Sequence, residues 1–175
     1  MKKKNIKYYL KKVFKNLSYQ IFFLIYGKVF LKNRINKKIL LKKNLVTFRN
    51  NKKNFNYLVF NAINSRLYTD RIQDTAVIQE NSIINEGSFQ LRNNNFDKNI
   101  NKNIVLRIGT PRIKKKLNGT VASLLTGGGG NDNYFHWLFD VLPKIGMLEK
   151  CYNINKINYF LCPNLTAWQL RTLNL

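Results

Sequence analysis

Acid is missing from the front of this chain. No Asp or Glu precedes Asp70, and residues 1–69 hold 18 Lys and Arg, whereas residues 70–175 carry 13 positive side chains against 8 acids, a net of +5. The formal charge of +23 is therefore mainly a property of the front segment. Arrays of Lys and Arg neutralise nucleic-acid phosphates, but an excess confined to one terminal stretch argues against a basic nucleic-acid-binding domain. That stretch is also rich in Asn, Ile, Phe and Tyr, the residue types that A/T-rich codons favour, so part of its lysine content is compositional background. Two readings of the excess stand side by side. One is a charge-solvated face; the other is peripheral contact of residues 1–45 with an anionic membrane, worth ~1 kcal/mol per basic side chain held at the surface.

A long apolar run is missing too. The longest, Ile21 to Tyr26 with Val29 to Leu31 after it, falls far short of the ~20 residues a spanning helix needs. No small-residue cleavage site follows it, which excludes a standard signal peptide. The expected compartment is the cytoplasm, with peripheral contact at the inner face of the membrane. Cysteine is scarce: Cys151 and Cys162 stand alone, too few for a disulfide framework and without companions for a zinc site, so both are expected to be buried thiols. His136 is the only histidine, and no Asp-x-Asp with adjacent ligands occurs, so no metal ligands are assigned and metal dependence stays open.

What is present is enough to fold. An apolar share of 45% with 13% aromatic residues supplies the surface that offsets the entropy of ordering a chain of 175 residues. Residues 1–45 read as helical, with Tyr8, Tyr9, Val13, Phe14 and Leu17 between lysines at three- and four-residue steps. Arg49 to Asn56 reads as a polar loop. Short β-type runs follow at Tyr57–Phe60, Thr75–Gln79, Ser82–Ile84 and Ser88–Gln90, and the Asn-rich Arg92–Asn103 reads as a surface loop. The pattern divides the chain into a basic helical segment (1–56), a small β-rich region (57–103) and an α/β domain (104–175).

In that last domain Val121–Thr126 has the profile of a buried parallel strand. Four glycines, Gly127 to Gly130, follow it; Asn131 or Asp132 is placed to cap a helix running to about Leu142, and Pro143 either kinks that helix or opens its next segment. Ile157–Cys162 is again strand-like, and a helix is expected from Thr166. Strand, glycine loop, helix, strand and helix begin an open α/β sheet. The last helical pattern is still running at Leu175, so the expectation is a truncated domain.

Helical spacing puts Asn133, His136 and Asp140 on one face. An acid one turn after a histidine can accept its ring N–H and fix its tautomer, which is how a general base is built. The same three groups also serve for plain hydrogen bonding to loops. Gly127, Gly128, Gly129 and Gly130 either expose N–H groups to a phosphate or permit close packing; they match neither G-x-G-x-x-G nor a P-loop.

The segment Lys116 to Leu175, with the signature Asn133-x-x-His136-Trp137-Leu138-x-Asp140-x-Leu142-Pro143, resembles the N-terminal half of glycosyltransferase family 61, which includes capsular-polysaccharide enzymes and eukaryotic xylosyl- and N-acetylglucosaminyltransferases. Thr75 to Gln90 resembles the family more loosely, and the first 50 residues do not. The resemblance implies the N-terminal Rossmann-like half of a glycosyltransferase B fold. It also implies inverting transfer from a nucleotide-sugar co-substrate to a glycan or polysaccharide acceptor, without a firm cofactor. On that reading His136 and Asp140 are catalytic, while Asn133, Asn131 and Gly127 to Gly130 line the substrate site; the second half of the fold, which holds most of the donor, is missing. Two alternatives stand beside it: a basic protein binding nucleic acid or anionic membrane through residues 1–69, and a non-catalytic remnant of the enzyme.

Overall fold

The computed structural model describes residues 6–31, 47–50, 53–56, 59–70, 72–93, 95–126, 132–162 and 164–173. The chain is mixed α/β, with two hydrophobic cores. Among the described residues no helix is long and apolar enough to cross a membrane.

The first helix, α1 (Ile6–Tyr26), ends at Gly27. Its φ of +75° is left-handed, and its N–H caps the helix by donating to the Phe23 carbonyl at 2.9 Å. The chain then drops Val29 into the first core and adds the short strand β1 (Phe30–Leu31). The expectation of helix throughout residues 1–45 therefore fails at Phe30–Leu31, where pairing with a neighbouring strand overrides local propensity; residues 32–46 lie outside the described set.

A hairpin of β2 (Thr47–Asn50) and β3 (Lys53–Asn56) replaces the expected polar loop at Arg49–Asn56. Beyond it, the run expected as a strand at Tyr57–Phe60 gives only a bridge at Val59, with residues 57–58 outside the described set. The Phe60 ring instead lies where a Cβ on Gly87 would be. The main sheet is built from β4 (Arg66–Thr69), β5 (Asp74–Gln79), β6 (Ser82–Arg92) and β7 (Asn95–Asp97). Its order is β1-β6-β5-β4, with β7 also on β6; β1 runs parallel to β6 and the other pairs are antiparallel.

Between β5 and β6 a two-residue turn has φ of +48° at Glu80 and +60° at Asn81, the left-handed pair that matches strand twist. A register shift between Thr75 and Val77 is filled by Ser88, whose Oγ accepts from the Val77 N–H at 3.0 Å and donates to the Ile84 carbonyl at 2.5 Å. Val29, Ala76, Ile78, Ile83 and Val105 form the core beneath.

The Asn-rich stretch Arg92–Asn103 is not a loop. It holds β7, a 3₁₀ turn at Ile100–Lys102 and a buried Asn103. The Asn103 amide donates to the Thr75 and Phe89 carbonyls and to Gln90 Oε1, and accepts from the Val105 N–H, the first residue of α2 (Val105–Ile108). Beside it the buried Asp74 carboxylate accepts from both Arg92 guanidinium nitrogens, at 3.0 and 3.2 Å, and from the Ile104 N–H at 3.1 Å. Buried polar groups survive only when paired in this way.

The second core lies beyond the irregular stretch 111–120. Strand β8 (Val121–Ser123) pairs in parallel with β9 (Tyr159–Leu161), and the helical stretch Tyr134–Glu149 lies between them in sequence, making a βαβ unit. The pairing is parallel as expected, but the expected burial is not met: Val121, Tyr159 and Phe160 are exposed. Extended pairing also stops at Ser123, so Leu124 and Leu125, the buried part of the predicted strand, lie beyond it. Trp137 and Val141 are fully buried against Leu124, and Trp137 Nε1–H donates to Thr172 Oγ1 at 2.8 Å on α5 (Ala167–Leu173). The Gln169 side chain holds the start of α5, its Oε1 accepting from the N–H and the hydroxyl of Thr166. Cys151 and Cys162 are free, and half-buried rather than buried.

Candidate functional site

Three helical stretches run end to end after Asn133: α3 (Tyr134–His136), a π turn (Trp137–Val141) and α4 (Leu142–Glu149). The N-cap is Asn133, not Asn131 or Asp132. Its backbone is extended and its Oδ1 accepts from the His136 N–H at 3.2 Å. The π turn has a local cause. Pro143 has no N–H and its ring would press on the Phe139 carbonyl in a regular α-helix; instead the Leu142 N–H donates to the Trp137 carbonyl, five residues back, and Pro143 sits in the first turn of α4. Of the two outcomes expected for Pro143, it opens the next segment.

Across this widened turn His136 Nδ1 lies 2.6 Å from Asp140 Oδ2. The pair is open to solvent, with side-chain exposures of 39% and 49%. A contact this exposed adds little stability. A carboxylate only accepts, so a neutral imidazole in this pair carries its hydrogen on Nδ1 and leaves the Nε2 lone pair unused. Such an arrangement can take a proton from a hydroxyl or hold one in place.

Lys144, one turn beyond Asp140, belongs to the same stripe. Its Nζ donates to the Leu125 carbonyl at 2.5 Å, tying α4 to the chain just after β8. Burial lowers its pKa from 10.5 to about 8, and the charge of Asp140 opposes that shift. Thr126 Oγ1, the next residue along from Leu125, is buried without a hydrogen-bond partner among the described residues. On the solvent side Phe135 and Phe139 are both exposed, with ring centroids 4.7 Å apart; Phe135 meets the His136 ring edge-on at 5.7 Å. Tyr134 leans on Trp168, which packs edge-on against Trp137.

The structure thus joins His136 to Asp140 and places Asn133 beneath them as a cap. Gly127, Gly128, Gly129, Gly130 and Asn131 lie outside the described residues. Reading the sequence missed Lys144 and the Phe135–Phe139 pair. The four-residue steps from His136 to Asp140 to Lys144 were a usable signal for the lysine; nothing local signalled the aromatic pair, since the same residues suit a core-facing helix side. Among the described residues no three His, Cys, Asp or Glu side chains gather into a metal-binding group. No protein-family model matches the chain, and neither a curated protein nor a solved structure matches it at a significant level.

Proposed function

We propose that this chain is the acceptor-activating part of an inverting, nucleotide-sugar-dependent glycosyltransferase, with residues 104–175 forming part of the Rossmann-like N-terminal half of a glycosyltransferase B fold. The observation that carries the reading is the solvent-open His136–Asp140 pair on the helix of a βαβ unit. The resemblance of Asn133 to Pro143 to the family 61 signature supports it.

In this reading Asp140 holds the imidazole through Nδ1, and Nε2 takes the proton of the acceptor hydroxyl. The hydroxyl oxygen bonds to the anomeric carbon as the bond from that carbon to the nucleotide's phosphate breaks, and the bonding pair leaves with the diphosphate. Lys144 is a positioning residue that fixes the helix to the Leu125 carbonyl. Phe135 and Phe139 offer the apolar face of a sugar ring a surface beside the base. Asn133 acts through the helix cap.

The test is transfer from a panel of nucleotide sugars to glycan acceptors, measured on the chain and on any longer product of its coding sequence. His136→Ala is expected to lower turnover about 10²–10⁴-fold, the range of general-base catalysis, with donor binding retained. Turnover unchanged by that substitution would remove the imidazole from the mechanism.

A further inference from the structure

One face of α1 has no partner among the described residues. Leu10, Val13, Phe14, Leu17, Ile21 and Leu24 recur at three- and four-residue steps and so lie along one side of a helix of 21 residues, about 32 Å long. All six are exposed, from 55% at Ile21 to 88% at Leu24. The contacts α1 makes with the rest of the protein use the other side. The Phe23 ring crosses Gly109 closely enough that a Cβ there would lie 2.6 Å from it; Tyr26 Oη accepts from the Lys114 N–H, and the Lys114 ammonium sits over the Tyr26 ring at 4.4 Å. Successive residues are about 100° apart on a helix, which puts Tyr26 opposite Leu17 and Leu24, and Phe23 about 100–120° round from them. Anchoring at the C-terminal end therefore holds the apolar stripe outward.

Charge decides what that stripe meets. Lys7, Lys11 and Lys15 form a row at four-residue steps, Lys12 lies on a second flank, and α1 has no acid. Two copies of α1 would bring together two lysine-bearing helices with no carboxylate on either to offset the charge. A nucleic acid would use the lysines and leave six large apolar side chains in water. An anionic bilayer surface satisfies both halves at once, since acyl chains take Leu and Phe while lysine stems reach up to the headgroups.

We infer that α1 is an interfacial anchor: it lies in the plane of an anionic lipid leaflet, stripe inward, and holds the protein at the membrane without crossing it. This anchor is independent of the sugar-transfer reading, because it uses none of the residues from Asn133 to Lys144.

The experiment is co-sedimentation of the full chain with vesicles of phosphatidylcholine alone and of phosphatidylcholine mixed with phosphatidylglycerol. Leu17→Trp serves as an emission probe on the stripe. Binding to the mixed vesicles, with a blue shift of the added tryptophan and at least about tenfold weakening in Lys11→Glu/Lys15→Glu, is expected. Phe14→Glu/Leu17→Glu is expected to abolish binding while circular dichroism stays that of the parent, since neither side chain is buried. Absence of binding to both vesicle types overturns the inference. So does binding to the mixed vesicles without a blue shift, which leaves only charge adsorption. A doubled mass by light scattering in vesicle-free buffer, with the blue shift already present, overturns it in favour of a second copy of the chain.

Discussion

Asp140 receives the Nδ1 side of the His136 ring at 2.6 Å across a turn that is one residue wider than α-helical, and Pro143 lies two residues beyond the end of that turn. The pairing fixes which imidazole nitrogen faces outward. In the neutral imidazole the Nδ1–H form is expected to dominate, read from the ¹⁵N shifts of the single histidine. Asp140→Ala removes the acceptor, and a redistribution toward the Nε2–H form should follow with the fold intact. Unchanged ¹⁵N shifts would mean the carboxylate does not orient the ring.

Lys144 makes stability depend on alkaline pH. Its folded pKa of about 8 lies below its ordinary 10.5, so between these values the unfolded chain holds a proton that the folded one has released. Stability contributed at this site therefore rises with pH across that window and levels off above it, by an amount on the order of 2 kcal/mol once partial solvent access is allowed for. Lys144→Met should remove the rise. The difference between parent and variant urea midpoints, followed through the window, isolates the lysine from tyrosines that titrate nearby; a constant difference would refute the assignment.

Arg92→Ala strips the buried Asp74 of its bidentate partner and leaves it the Ile104 N–H as a donor. Removing one member of a buried pair costs ~3–5 kcal/mol, and the Arg92 side chain is 32% exposed, so a loss near the lower end, about 3 kcal/mol, is expected by urea denaturation. A loss below ~1 kcal/mol would show that water replaces the guanidinium freely.

Gly109 has φ of +62° and lies against the Phe23 ring. Gly109→Ala adds left-handed strain and a steric clash, at a cost of ~2 kcal/mol or more. Because Phe23 belongs to α1, the variant should also release that helix, seen as faster proteolysis within Ile6–Tyr26 than elsewhere. Equal cleavage in parent and variant would show that the contact does not hold α1.

These sites differ in how far local sequence reveals them. The His136–Asp140 pair follows from four-residue spacing alone, and β5 from the short β-type run Thr75–Gln79. The β5–β6 hairpin does not, because Glu80-Asn81 lacks the glycine that usually marks a left-handed turn. The Arg92–Asn103 stretch reads as polar, yet Asn103 is only 2% exposed, because backbone groups from β5 and β6 satisfy its amide. Polarity forecasts exposure only where no such partners converge.

Periodicity and spacing are properties of neighbours along the chain, so residue order by itself determined the amphipathic helix at the front, the mixed α/β character and the meeting of imidazole with carboxylate. The tertiary structure alone decided which side of α1 is left open, where β8 stops being a strand, and that the Lys144 ammonium is desolvated against the Leu125 carbonyl. Those outcomes depend on groups brought together from distant positions, 19 residues apart for Lys144 and Leu125, and contact at that separation is set by packing free energy rather than by local pattern.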